Sequence, residues 1–143
     1  MQSYTSRAFE VKADLQTLFG WMANPKRLQP MLDQYGSQIP VKEVILLEDG
    51  VKVDSGIFGM IEFLRTESNP PHLIAYETGT SPLPIKLLLS LSEASASSSL
   101  VQITIEANAP AFLGSMLRHK IEPILADIAN KLEAIDFSKM VQR

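Results

Sequence analysis

PAFLGSMLRHKIEPILADIANKLEAI, residues 110–135, is the stretch on which the fold turns. In it Leu113, Leu117, Ile121, Ile124, Ile128, Leu132 and Ile135 recur at steps of three and four. At about 100° per residue they form one apolar stripe, with Lys120 and Lys131 at its border and His119 nearly opposite. A stripe of this length has to be covered by something, so the pattern predicts a single long amphipathic helix over 110–135 packed against the rest of the chain. Pro123 lies inside the pattern, where it removes one backbone donor and crowds the preceding turn. A kink there, or two helical pieces, is expected.

Upstream of the helix the period changes to two. Ile85, Leu87, Leu89 and Leu91 alternate with Lys86, Ser90 and Ser92, and Val101, Ile103, Ile105 and Ala107 alternate with Gln102, Thr104 and Glu106. That is the pattern of two half-buried antiparallel strands, joined by a hairpin loop at Ser95-Ala96-Ser97-Ser98-Ser99. Before them, period-two patterning begins at Val41, Gly50 closes a turn after Glu48-Asp49, and a strand runs from Val51 past Phe63. Its facing stays open: Ile57, Ile61 and Phe63 lie on one side, Phe58, Met60 and Leu64 on the other, and a bulge at Gly56 or Gly59 would switch them. Asn69-Pro70-Pro71 is a turn, 72–78 a strand, and Ser81-Pro82-Leu83-Pro84 a break.

The N-terminal third completes the order. Phe9 and Val11 against Glu10 and Lys12 mark a strand over 4–12. Asp14 can cap a helix whose Leu15, Leu18, Phe19 and Met22 face inward up to Ala23. Asn24-Pro25 restarts a second helix, with Leu28, Met31 and Leu32 inward, that ends at Gly36. The fold class that follows is α+β, a curved antiparallel sheet wrapped around a long C-terminal helix, with two short helices after the first strand. Residues 1–143 make one domain, a length sufficient for its own core.

Composition removes several functions. Thirteen basic and 16 acidic residues are interspersed for a net charge of −3, so there is no basic stripe to neutralise nucleic-acid phosphates. With no cysteine there are no disulfides, thiolate nucleophiles or thiolate metal sites, which suits a reducing compartment. The first residues lack the apolar core of a signal peptide, and apolar runs such as Leu87-Leu88-Leu89 are far too short to span a bilayer. The cytoplasm is the expected location. Two histidines, His72 at a strand start and His119 on the polar side of the helix, make neither a metal site nor a triad. No metal and no cofactor are expected.

The order of elements resembles the START / Bet v 1-like superfamily, the group also labelled SRPBCC or polyketide cyclase-like. Its local carriers are 9–19, FEVKADLQTLF, similar to the family's first strand running into its first helix, and Ala23-Asn24-Pro25-Lys26-Arg27-Leu28, similar to the family's Asp-Pro-x-x-Leu corner. The resemblance covers essentially the whole chain. It implies a hollow between sheet and helix of the kind that holds sterols, lipids, polyketides, quinones or hormones. It leaves function open. The Gly-Trp motif of the heat-shock-ATPase-activator branch is missing, as are the ligands of a Rieske cluster.

The expected lining is oily: Leu87, Leu89, Val101 and Ile103 from the strands, with Leu117, Ile121, Ile124 and Ile128 from the helix. Tyr76 is the polar candidate, an apolar ring with a hydrogen-bonding tip that suits the orienting of a ligand. Arg65, Glu67 and Glu77 sit on middle strands and read either as a solvated charge pair or as cavity groups. Trp21 reads as helix-to-sheet packing or as a gate at the cavity mouth, and Met22, Met31, Met60 and Met116 as core filler or an adaptable wall. The leading function is non-catalytic binding of a hydrophobic small molecule or lipid. One alternative is a cofactor-free cyclase, dehydratase or isomerase using Tyr76, Arg65 or Glu77 as acid, base or oxyanion stabiliser. Another is an interaction module with a filled interior.

Overall fold

The structure, a computed structural model, describes residues 2–35, 43–54, 56, 59–79, 84–135 and 137. The first alternating stretch folds as two strands, β1 (Gln2–Thr5) and β2 (Phe9–Val11), instead of one over 4–12. Ser6 is where they part. Its N–H donates to Ile103 O at 2.8 Å, but its hydroxyl replaces its carbonyl as acceptor of Ile103 N–H at 3.0 Å. The displaced carbonyl accepts from the Gln102 side-chain amide at 3.0 Å. The ladder is satisfied and the chain jogs.

α1 (Leu15–Ala23) starts where Asp14 accepts from Thr17 N–H at 3.1 Å, and it buries Leu18 and Phe19. The bonds from Thr17 also hold the Asp14 carboxyl below its ordinary pKa. The second helix departs from expectation: Pro25–Leu28 is a tight 3-10 turn, and α2 (Gln29–Tyr35) follows it. Asn24 makes no side-chain capping bond, and Lys26 N–H donates instead to Leu47 O at 3.0 Å. The expected stop at Gly36 lies outside the described residues.

The middle of the chain supplies β3 (Val44–Leu46), β4 (Gly50–Asp54), β5 (Met60–Asn69), β6 (Leu73–Thr78), β7 (Ile85–Ser95) and β8 (Ser98–Ala107). The single strand expected from Val51 past Phe63 is thus two, β4 and β5. Gly56 and Gly59 lie between them at φ of 81° and 71°, a backbone region that favours glycine. Among the described residues the register shifts between Arg65 and Glu67, and again between Glu93 and Ser95. Val41, Ile57, Phe58 and the break at 81–83 lie outside the described residues. All pairs are antiparallel, in the order β1-β8-β7-β6-β5-β4-β3, with β2 also paired to β8. The expected serine loop shrinks to Ala96-Ser97, because Ser98 and Ser99 continue the ladder as buried residues. Ser99 Oγ donates to Ala13 O at 2.7 Å, which lets a polar side chain sit at the β2–α1 corner.

After a 3-10 turn at Ala111–Leu113, α3 (Gly114–Ala134) runs without interruption through Pro123. The expected division into two pieces does not occur. Pro123 is exposed, as is His119, whose carbonyl loses its donor, so water can replace the missing bond. The buried residues of the helix are Leu117, Leu125 and Ala129. The buried face is therefore rotated from the expected stripe towards 125 and 129, and Ile124 is only half-buried. α3 lies against β1 and β2. Its N-terminal end is held by Tyr4 Oη donating to Gly114 O at 3.4 Å. Its C-terminal end is held by Arg7, whose Nη2 donates to Asn130 Oδ1 at 2.8 Å and pairs with Glu133 Oε1 at 2.9 Å.

Candidate functional site

The register fixes what faces the helix, because directly opposed residues of an antiparallel pair share a face. One row crosses the sheet as Tyr4, Ile105, Leu87, Tyr76 and Arg65. A second runs Ile103, Leu89, Ile74 and Ser68, and a third carries Thr78, Phe63, Val51 and Leu46. The open facing of β5 is thereby resolved. Ile61 and Phe63 are inward, while Met60 and Leu64 are on the outer face, 48% and 37% exposed.

The expected lining divides in two. Leu89, Val101, Ile103, Leu117 and Tyr76 are buried members of the main core. Leu87, Ile121 and Ile128 pack against that core but stay half-buried, as do Ile85, Ile105 and Phe63. These last side chains point at the helix side of the sheet and still keep accessible surface. Ile124 is half-buried and is not part of the packed cluster. Leu125 and Ala129 escaped the sequence reading although the steps 117, 121, 125, 129 carry them; the neighbouring Ile124 and Ile128 gave an equally regular stripe.

Tyr76 and Arg65 are cross-strand partners, and both reach the end of α1. Tyr76 Oη donates to Met22 O and Arg65 Nη1 to Ala23 O. These are carbonyls that a helix terminus leaves without intrahelical donors, at the negative end of its dipole. Burial pushes the Tyr76 hydroxyl up to about 12, the Arg65 charge pulling the other way. Beside them, Asn24 Oδ1 is buried with no hydrogen-bond partner among the described residues.

The other polar candidates do not converge on this face. Arg65 and Glu67 do not form a charge pair: the bulge between them puts Glu67 opposite Ala75, on the outer side. Glu77 is on the outer side too, opposite Leu64 and Lys86, and it accepts from Thr66 Oγ1 at 2.6 Å. His72 places Nδ1 3.0 Å from Leu91 O. His119 lines a separate cleft of about 700 Å³ between β1 and the start of α3. Trp21 stacks obliquely on Phe137 with ring centroids 5.8 Å apart, which is a packing contact. Met31 is buried, Met22 is half-buried against the core, and Met60 and Met116 are exposed. Among the described residues no group of three or more His, Asp or Glu side chains could hold a metal ion, and no helix is long and apolar enough to cross a membrane.

No family sequence model matches the chain, and no curated protein matches it in sequence. Solved structures do match. A START superfamily protein from Mycobacterium smegmatis superposes with a TM-score of 0.64 at 15% identity, over 98% of this chain and 97% of that one. The chain has the START / Bet v 1-like fold. Norcoclaurine synthase from Thalictrum flavum shares it, with a TM-score of 0.65 at 14% identity over 99% of this chain and 87% of that one. So does a conserved protein from Geobacillus kaustophilus, with a TM-score of 0.62 at 13% identity over 99% and 96%. The START / Bet v 1-like fold accounts for the open antiparallel sheet, the two short helices and the long C-terminal helix. At these identities it does not select a chemistry.

Proposed function

We propose that this protein binds a hydrophobic small molecule or lipid between α3 and the concave face of the sheet, without transforming it. The observation that carries the reading is the half-buried apolar band of Ile85, Leu87, Ile105, Ile121 and Ile128, inward-facing yet accessible. Apolar surface left accessible between two elements gains free energy when an apolar guest covers it, at about 25 cal/mol per Å². A structure of norcoclaurine synthase was solved with dopamine and hydroxybenzaldehyde, so the fold is able to hold small aromatic guests. Two of the three groups that the catalytic alternative would use are committed elsewhere: Tyr76 donates to Met22 O, and Glu77 is on the outer face, which leaves Arg65 alone. In this reading the protein works in the cytoplasm, without metal, cofactor or nucleic acid.

The test uses the neutral fluorophore N-phenylnaphthylamine together with mass spectrometry of an organic extract of the purified protein. Saturable uptake of the fluorophore, weakened by Ile121→Ala in a variant that keeps its fold, is the expected result. Failure to take up any neutral apolar probe, or uptake indifferent to Ile121→Ala and Leu87→Ala together, refutes the reading.

A further inference from the structure

The geometry points to Arg65 as the anchor for the head of the ligand, which makes that ligand an amphipathic acid, an apolar body ending in one carboxylate. This rests on the binding reading above and narrows it. Arg65 stands in the inward row directly after Leu87 and Tyr76, so its guanidinium is at the end of an apolar track. The other basic residues of the described strands, Lys52 and Lys86, are opposite Glu62 and Glu77 on the outer face. Arg65 is thus the one strand cation on the concave side among the described residues. Asp49 is its acidic neighbour, its carbonyl accepting from Arg65 N–H at 2.7 Å and its charge reaching Tyr76, but among the described residues no carboxylate comes within ion-pair distance of the guanidinium.

A guanidinium offers five N–H donors in a planar fork. Arg65 uses one, on Ala23 O, and its side chain remains exposed. That single bond orients the fork beside the apolar track and leaves the remaining donors for an incoming acceptor. A carboxylate fits a guanidinium fork with two parallel bonds, while the hydrocarbon behind it runs over Tyr76 and Leu87. An uncharged ester or hydroxyl head takes only neutral-acceptor hydrogen bonds from the fork, weaker than the charge-assisted pair that a carboxylate accepts.

The experiment displaces N-phenylnaphthylamine with dodecanoate, methyl dodecanoate, dodecanol and dodecyl phosphate at neutral pH, where the acid is ionised. Dodecanoate should bind the wild-type protein about tenfold or more tightly than its methyl ester or the alcohol, the scale of a charge-assisted bond. Arg65→Gln should bring dodecanoate down to the level of the ester without changing the ester, and Arg65→Lys should recover part of the difference. Equal affinity for acid and ester, with the fluorophore still bound, means that Arg65 only caps α1: the proposal falls and the binding reading stands. Loss of fluorophore uptake by the wild-type protein overturns both. Preference for dodecyl phosphate over dodecanoate overturns the carboxylate assignment. If Arg65→Gln does not fold, the acid and ester comparison on the wild-type protein still decides.

Discussion

Tyr76 and Arg65 show how far one residue's neighbours decide its role. The sequence presents a strand tyrosine and a strand arginine, and period-two patterning cannot say that the carbonyls of Met22 and Ala23 will be within reach of both. Tyr76→Phe leaves Met22 O without its donor and should cost about 1–3 kcal/mol in urea denaturation. The pH dependence has a definite sign. The Tyr76 hydroxyl is raised from 10.0 to about 12, so in this range the folded state holds its proton more tightly than the unfolded chain does. Its contribution is therefore complete below pH 10 and is lost as the pH rises towards about 12, and Tyr76→Phe should flatten that part of the stability curve. The serines at the β7–β8 tip give the same lesson. Composition alone reads Ser95 to Ser99 as loop, while the hydrogen bond from Ser99 to Ala13 O, a long-range contact, draws it into the core.

α3 is the element whose existence was plainest in the sequence and whose orientation was not. Its length and periodicity were legible because an apolar stripe is a local property. Which degree of rotation wins depends on the partner surface, and β1 with β2 selects Leu125 and Ala129 over Ile124. The break between β1 and β2 was equally hidden, since it rests on the Ser6 hydroxyl standing in for a carbonyl. The two halves of α3 are held differently. The second half is clasped by Arg7, Asn130 and Glu133, and Glu133 also accepts from Glu10 N–H at 3.2 Å. The first half begins at Gly114, held by the single 3.4 Å bond from Tyr4 Oη, and ends against Pro123. Amide exchange should therefore be faster over 114–122 than over 124–134, and a bound apolar ligand should slow it in the first segment. Pro123→Ala restores a donor to His119 O and should stabilise the helix by up to about 3 kcal/mol, raising Tm and slowing exchange in the same segment. Glu133→Gln should speed exchange near Asn130 and leave 114–122 as it was. The hydrogen bond from the Arg7 side chain and the one from Glu10 N–H hold the Glu133 carboxyl below its ordinary value, so this clasp is complete at neutral pH and weakens as acid titrates that carboxylate.

At the scale of the molecule, the question is whether the space between sheet and helix is room for a guest or is filled by its own walls. Leu87→Trp separates the two. In a filled interior the larger side chain overpacks and costs about 1–3 kcal/mol; in an open hollow stability holds, while affinity for N-phenylnaphthylamine falls because the indole takes the guest's place. The sheet order carries a further consequence, for the time at which the fold can form. Gln2 pairs with Ala107 and Phe9 with Val101, so the first of the described strands to be made have as their partner the last of those strands to be made. At about 5–20 residues per second the N-terminal segment waits several seconds with Phe9 and Val11 unsheltered. Nascent chains arrested before β8 has emerged should be cut by protease within the first 11 residues, and chains arrested after its emergence should resist. Refolding of the full chain should be slow for its size, in the millisecond-to-second range of sheets closed by non-local pairing, because the last strand must find the first.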